Sequence, residues 1–454
     1  MPRKKGTTSK KRAVKKSASP IKTKKRRQAL QSIKGMKDIL PADMRIWKSF
    51  KEIVDNQLTP FSFNEIETPI LEKTELYERG TGEDTDIVQK EMFSFETKGG
   101  ESVSMRPEGT PGVVRAYIEN GMNKFTQPVK SYYMGPMFRH ERPQAGRFRQ
   151  FHQLNLEVIG NSHPVLDAEI IYLFHKILNR VGLKDIDIQI NSIGCRECRK
   201  EYKETLIDYY TPKKRQLCED CKKRLKNNPF RILDCKKEKC INISSGVPPI
   251  VDYLCEDCDR HFKRVLEYLD EAEIVYNLNT TLMRGLDYYT KTTFEIWPAD
   301  DKQSAQGALG GGGRYDNLVK LLGGQDAPAV GAALGIERIV EKLKEKEIKP
   351  KKPKSPDVLL IQLGELAKKK SLKIFENLIE SGIFAREALH RDSIKSQLRY
   401  ANKLDVKFAL ILGQKESQED MILVRNMEDG VQELVKLDKV VEDIKKRLKE
   451  FSKK

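Results

Sequence analysis

The segment Phe138–Arg139–His140–Glu141–Arg142–Pro143–Gln144–Ala145–Gly146–Arg147–Phe148–Arg149–Gln150–Phe151 decides the fold. An apolar run, Ser131–Phe138, leads into Arg139. A loop containing Pro143 and Gly146 reverses the chain, and Arg147 and Phe151 follow on the return. This is the grammar of two antiparallel strands joined by a loop. Arginines at such a turn can clamp phosphate, and an aromatic ring on the returning strand can stack a purine. Phe138–Glu141 alone would read as a basic surface strand touching RNA, a short pattern that chance often supplies. The arrangement of all four parts is what carries weight.

Outward from this pair, further strand-like runs occur at Phe63–Pro69, Val103–Met105, Leu154–Ile159, Ile186–Ile190 and Thr292–Trp297. Helical spacing of apolar residues marks Ala42–Leu58, Val165–Val181 and Asp326–Lys346. Strands without regular βαβ alternation predict an α+β catalytic-size core built on an antiparallel sheet, spanning 31–346. Residues 347–356 are charged and proline-bearing and read as a linker. Beyond it the pattern alternates: strand Val358–Leu363, helix Ala367–Ser381, strand Phe384–Ala388, helix Ser393–Lys403, strand Phe408–Leu412 and helix Asp438–Phe451. That alternation predicts a small α/β domain at 357–454 with a parallel or mixed sheet.

The 454 residues carry a net charge of +18, and thirteen Lys and Arg with no acid fall within residues 1–30. The excess charge is therefore concentrated in a tail with little to bury, expected to be disordered and suited to sequence-independent contact with RNA phosphates; a solvated arm without specific role is the alternative. An apolar fraction of 38% is ordinary for a globular chain. No secretory or transit signal and no run of about 18 apolar residues is present, so a soluble cytoplasmic protein is expected.

All eight cysteines lie between 195 and 258, as Cys195-x2-Cys198, Cys218-x2-Cys221, Cys235-x4-Cys240 and Cys255-x2-Cys258. Thiolates two residues apart suit tetrahedral Zn²⁺, and the first two pairs match the spacing of a single four-cysteine site. One or two structural zinc sites are expected; reduced thiols packed in a small core are the other reading. Because both flanks belong to one core, residues 194–268 read as an insertion.

Four more segments carry chemistry. Arg106–Pro107–Glu108–Gly109–Thr110 and Gln153–Leu154–Asn155–Leu156–Glu157 provide two carboxylates and a carboxamide that suit an ammonium group. Arg284–Gly285–Leu286–Asp287–Tyr288–Tyr289 provides a cation and two phenols, and Gly310–Gly313 with Arg314–Tyr315–Asp316 reads as a close-approach loop. The glycine run is not G-x-G-x-x-G and follows no βαβ start, which argues against a dinucleotide site. Taken singly, the tyrosines would be a half-buried strand pair and the glycines a hairpin turn; their joint order is the signal.

The Phe138–Phe151 arrangement resembles motif 2 of the class II aminoacyl-tRNA synthetases, Thr68–Glu72 resembles motif 1, and Gly331–Arg338 resembles motif 3. The remaining segments resemble the histidine-specific motifs of histidyl-tRNA synthetases of bacterial type, over essentially the whole chain from Gly35 onward. The resemblance implies an antiparallel-sheet catalytic domain with an anticodon-binding domain behind it, a homodimer with motif 1 at the interface, and ATP with Mg²⁺, L-histidine and histidine tRNA as substrates. It implies that Arg139 contacts the α-phosphate, Phe151 stacks on adenine, Glu141 and Arg147 hold the nucleotide and Arg338 holds the γ-phosphate. It implies that Glu108, Gly109, Thr110, Gln153 and Glu157 surround the histidine amino group and that Tyr288, Tyr289 and Tyr315 read the imidazole. Arg284 would touch carboxylate and α-phosphate together, and the insertion would reach the acceptor stem. The basic tail and the dense cysteine set are not features the family implies.

Three rivals remain at this level. One is a histidine-binding regulatory paralogue without aminoacylation activity, which would be expected to lose arginines or the C-terminal domain. Another is a class II synthetase for proline, threonine or glycine. The last is a non-enzymatic RNA-binding protein, which leaves the two glutamates and the tyrosines without a task.

Overall fold

The computed structural model describes residues 29–82, 85–144, 146–300, 307–350 and 354–451. Most of the basic tail expected at 1–30 lies outside the described residues, as does Ala145 of the loop after Arg142. The chain forms two compact units, 1–350 and 351–454.

In the first unit the strands are β1 (Asn64–Glu65), β2 (Leu71–Lys73), β3 (Phe93–Glu96), β4 (Ser102–Met105), β5 (Val129–Phe138), β6 (Gln150–Ile159), β7 (Ile186–Ser192), β8 (Asn277–Leu278), β9 (Thr290–Pro298), β10 (Gly310–Arg314) and β11 (Ala329–Gly335). The helices are α1 (Pro41–Leu58), α2 (Thr74–Thr81), α3 (Thr110–Glu119), α4 (Val165–Val181), α5 (Arg196–Tyr210), α6 (Glu219–Asn227), α7 (Phe230–Leu233), α8 (Glu238–Ser244), α9 (Glu256–Glu271), α10 (Leu318–Leu321) and α11 (Ile336–Glu345). Eight strands make the main sheet in the order β1-β5-β6-β11-β10-β9-β7-β8, and β2-β4-β3 form a small second sheet. The main sheet is antiparallel except at its edges, where β1 and β8 pair in parallel.

Alternation along β6 divides the unit into layers. Leu154, Leu156 and Val158 join a core with Trp47, Phe50 and Val54 of α1, Ile170, Phe174 and Ile177 of α4, and Val265 and Leu269 of α9. Gln153, Asn155 and Glu157 must then point to the opposite face, because successive side chains on a strand alternate. Pro41 opens α1 where its missing N–H costs nothing, and Gly182, at φ 106°, closes α4 in a conformation that suits glycine.

Two expectations change here. Asp326–Lys346 is not one helix: it begins as β11 and turns into α11 only at Ile336. β11 lies between β6 and β10 and needs small residues there. A side chain at Gly331 would sit 1.9 Å from Glu157 Oε2. The glycine run is not a loop either. It is β10, a central strand bonded on both sides to β9 and β11. Glycine in a strand often marks a close approach, and a Cβ at Gly311 would fall 2.4 Å from Phe294 O and 2.9 Å from Arg284 Nη1.

The second unit holds β12 (Val358–Gln362), β13 (Ala385–Glu387), β14 (Phe408–Leu412), β15 (Met421–Asn426) and β16 (Gln432–Lys436), with α12 (Glu365–Glu380), α13 (Ile394–Leu404), α14 (Gln414–Gln418) and α15 (Val440–Phe451). The order is β13-β12-β14-β15-β16, parallel through β14 and antiparallel beyond. The β15–β16 hairpin was not evident from the sequence pattern. Val358–Ile361 and Leu410–Leu412 are buried throughout, as expected of strands covered on both faces.

Candidate functional site

The site is laid on the face of the main sheet that Gln153 and Glu157 share, and it is closed by α3, by the segment 282–289 and by Tyr315 past the end of β10. Glu108 and Glu157 are 5% and 1% exposed. Carboxylates so buried must be paired. Glu108 accepts from Thr81 Oγ1 at 2.6 Å and from the Tyr288 hydroxyl at 2.8 Å. Glu157 accepts from Thr110 Oγ1 at 2.7 Å and from the Tyr315 hydroxyl. These donors are neutral, so burial still dominates. It raises the Glu108 carboxyl above its usual range and, with help from the nearby Glu108 charge, lifts that of Glu157 to about 8. Burial thus favours the neutral form of both acids, and a cation arriving beside them favours the ionised form.

The three tyrosines form one group: the rings of Tyr288 and Tyr289 are 4.7 Å apart, and those of Tyr288 and Tyr315 5.6 Å. Arg284 lies 5.8 Å from the Tyr289 ring and donates Nη1 to Glu295 at 2.7 Å, while its Nε is buried without a partner. The carboxamide oxygen of Gln153 is likewise buried and unpartnered. An unmet donor and an unmet acceptor in one cleft fit an incoming polar ligand.

Arg139 joins this half to the next. Its Nε donates to Pro107 O at 2.9 Å, and its guanidinium lies 5.3 Å from the Phe151 ring. Glu141 pairs with Arg147 at 2.6 Å, and Arg338 Nε donates to Gly146 O at 3.3 Å. Burial first, and then the like charges of Arg147 and Arg139, depress the pKa of Arg338. Three guanidinium groups converge here with Glu141 paired to one of them, an excess of positive charge that makes a place for a polyphosphate. Glu141 and Glu295, whose charges also reach Arg338, are the carboxylates that fit a cation carried on those phosphates.

Every residue singled out in Glu108–Thr110, Gln153–Glu157, Arg284–Tyr289 and Tyr315 thus falls in or beside one cleft. Arg314 and Arg106 do not: Arg314 is a buried partner of Asp167 and Asp316, and Arg106 is spent on Thr68 O and Pro136 O. Two participants had not been anticipated. Thr81 supports Glu108 from the last residue of α2, and Glu295 holds Arg284 from the middle of β9.

The cysteines assemble in an order that the spacing did not predict. Cys195 and Cys198 meet Cys255 and Cys258, while Cys218 and Cys221 meet Cys235 and Cys240. The first two pairs therefore do not share a site. The outer cluster joins the end of β7 to the start of α9, and the inner cluster lies in the stretch between them. In each, all four sulfurs lie within 4.8 Å of one another, with separations of 3.6 and 3.9 Å in the outer and 3.9 Å in the inner. Disulfide sulfurs would be about 2 Å apart. Four thiolates at 2.3 Å from a tetrahedral zinc would be separated by about 3.8 Å. Backbone N–H groups also point at the sulfurs: Cys221 to Cys218, Cys218 to Cys240 and Cys255 to Cys198. Burial pushes the Cys195 and Cys218 thiols up, but backbone N–H groups, of Cys198 and Glu197 at Cys195 and of Cys221 at Cys218, together with the neighbouring sulfhydryl donors outweigh it and bring both to about 7.

Among the described residues no helix is long and apolar enough to cross a membrane. The profile of the family described as histidyl-tRNA synthetase matches residues 35–202 and 247–339, and that of the anticodon binding domain matches 357–447. Residues 203–246, which contain the inner cysteine cluster, fall between the two matched stretches. A histidine–tRNA ligase of Halothermothrix orenii is 46% identical over 91% of this chain and 98% of its own, and one from Desulfitobacterium hafniense is 43% identical over 93% and 99%. The apo crystal structure of S. aureus histidyl-tRNA synthetase superposes with a TM-score of 0.76 at 36% identity, covering 92% of this chain and all of that one. A Bacillus halodurans structure titled as an ATP phosphoribosyltransferase regulatory subunit/histidyl-tRNA synthetase shares only the fold, at 19% identity and a TM-score of 0.57. With two buried glutamates, a tyrosine group and converging arginines on a sheet of this order, and with relatives matched end to end, the chain belongs to the histidyl-tRNA synthetase family.

Proposed function

We infer that this chain is an ATP-dependent histidine–tRNA ligase, and the observation that carries the reading is the pair of buried glutamates set beside converging arginines. The histidine carboxylate attacks the α-phosphorus of ATP, forming an O–P bond as pyrophosphate leaves. A hydroxyl of the tRNA's terminal ribose then attacks the acyl carbon and expels AMP. The nucleophile of the first step is ionised at neutral pH, so the site needs positive charge and in-line positioning rather than a base.

Glu108 and Glu157 bind the α-ammonium group, with Gly109, Thr110 and Gln153 around them, and Tyr288, Tyr289 and Tyr315 hydrogen-bond the imidazole. Arg284 bridges the amino-acid carboxylate and the α-phosphate, where Arg139 also acts. Arg147, Glu141 and Arg338 hold the rest of the nucleotide, and Phe151 stacks on adenine once Arg139 turns to phosphate. Glu141 and Glu295 would hold Mg²⁺, which when bound would supply neutralisation of the charge on the leaving phosphates. Each cysteine cluster holds one structural Zn²⁺. The protein works as a cytoplasmic homodimer paired through Thr68–Glu72, and residues 357–454 read the anticodon.

The deciding experiment is ATP–pyrophosphate exchange with each of the twenty amino acids. Exchange should depend on histidine alone; well-folded protein without it would favour the regulatory paralogue, and exchange with another amino acid would reassign the substrate.

A further inference from the structure

The geometry points to a second task for the cysteine-rich insertion: through Arg231 it positions the loop that reads the amino acid, so that metal binding in the insertion sets affinity in the cleft. Arg231 lies on α7, between Cys221 and Cys235 of the inner cluster. Its Nη2 donates to Gly285 O at 2.8 Å and lies 3.5 Å from Asp287 Oδ1. One guanidinium thus grips a carbonyl and a carboxylate two residues apart, immediately between Arg284 and Tyr288. Only 13% of its side chain is exposed, so the contact is partly shielded from water.

Besides that grip, Glu295 holds the Arg284 side chain and Glu108 that of Tyr288, and the backbone is tied near its ends. Asn191 Nδ2 donates to Leu282 O at 3.1 Å, and Asp287 N donates weakly to Thr81 O at 3.3 Å. The middle of the loop is held from the insertion side. α7 is itself short, four residues, and cannot fix its own orientation. Cys235, two residues past its end, ties it into the inner cluster, and Arg224 Nη1 from α6 donates to Arg231 O at 3.1 Å. The outer cluster fixes the root. Cys195 follows Gly194, whose carbonyl accepts from Lys291 N at 2.9 Å, two residues beyond Tyr289. Both sides of the loop therefore depend on segments that the sulfur clusters hold in place.

Arg231 is a positioning residue: it reaches the substrate only through Arg284 and Tyr288. This inference rests on the ligase reading and on zinc in the clusters, and the test separates the three. In the full chain purified without chelator, Arg231→Ala should keep the wild-type zinc content, raise KM for histidine about tenfold and leave KM for ATP within about twofold. Arg231→Lys, which keeps the charge but loses the fork, should fall between. Hydrogen exchange at 285–289 should speed up in Arg231→Ala whatever amino acid the enzyme activates, so this arm stands apart from the choice of substrate. Cys235→Ser should lose one zinc equivalent and reproduce the histidine KM of Arg231→Ala, and the double variant should be no worse than either. Unchanged exchange and unchanged histidine KM in folded Arg231→Ala would overturn the proposal, as would equal rises in both KM values. A Cys235→Ser variant that loses zinc but keeps histidine KM would overturn its metal dependence.

Discussion

Tyr315, just past the end of β10, reaches across β11 and donates its hydroxyl hydrogen to Glu157 on β6. The bond passes over Gly331, which pairs with Glu157 in the register of β6 and β11. A neutral phenol can stabilise a buried carboxylate only in part, and Glu157 accordingly titrates at about 8 in the free site, with burial the main cause.

An ammonium group arriving beside Glu157 favours the ionised form. Histidine binding at pH 7 should therefore expel up to one proton, seen by calorimetry as a binding enthalpy that depends on the ionisation heat of the buffer. Glu157→Gln should abolish the release. Equal enthalpies in phosphate and Tris would argue against the assignment. The same raised pKa has a sign for stability. Between about 4.5 and about 8 the native state keeps a proton that the unfolded chain has lost, so this contribution is present at low pH and disappears as pH rises through about 8.

Arg284→Ala should slow adenylate formation by on the order of 10²-fold or more, the usual cost of removing a preorganised contact to developing charge. Its partner Glu295 lies on a strand bonded along both edges, so the far-ultraviolet dichroism should be unchanged. A near-normal single-turnover rate would remove Arg284 from the chemistry.

Gly331→Ala would place a methyl 1.9 Å from Glu157 Oε2 and 2.7 Å from Leu156 O. Backbone cannot move aside inside a paired strand, so a loss of about 1–3 kcal/mol is expected, with a fall in the thermal midpoint and a higher KM for histidine. Wild-type values for both would mean that β6 and β11 are less tightly held than their register implies.

Metal analysis of protein prepared without chelator should return two zinc equivalents per chain. Cys221→Ser should lower this to one, because the two clusters share no ligand. Loss of both ions from a single substitution would show that the clusters form one unit.

Deleting residues 1–30 removes thirteen positive charges. It should weaken tRNA binding chiefly at low salt, flatten its salt dependence and spare histidine activation. The slope of affinity against salt is the measurement, and an unchanged slope would leave the tail without a part in binding.

Much of the catalytic sheet could be read from sequence because its strands alternate between a helical core and a polar face, and β6 shows this in six consecutive residues. The acid pair and the tyrosines were legible only through the joint order of their segments, since each segment taken singly has an ordinary structural reading. Gly310–Gly313 was misread because glycine weakens strands on their own. What makes it a strand is its pairing with β9 and β11, and what makes it glycine is Arg284 and Tyr289 lying against it; neighbours in space leave no local pattern. Thr81 was missed because its hydroxyl closes an otherwise ordinary helix. The cysteine spacing exposed each local pair but not which pairs meet, since that depends on where β7 ends and α9 begins.

The nested sulfur clusters make the insertion a graft with a tied stem. Cys195 and Cys255, sixty residues apart in sequence, have sulfurs 3.9 Å from each other. Whatever lies between Cys198 and Cys255 leaves the sheet through the same narrow neck, so its length can change without disturbing the register of β7 and β9, provided that Arg231 still reaches 285–287.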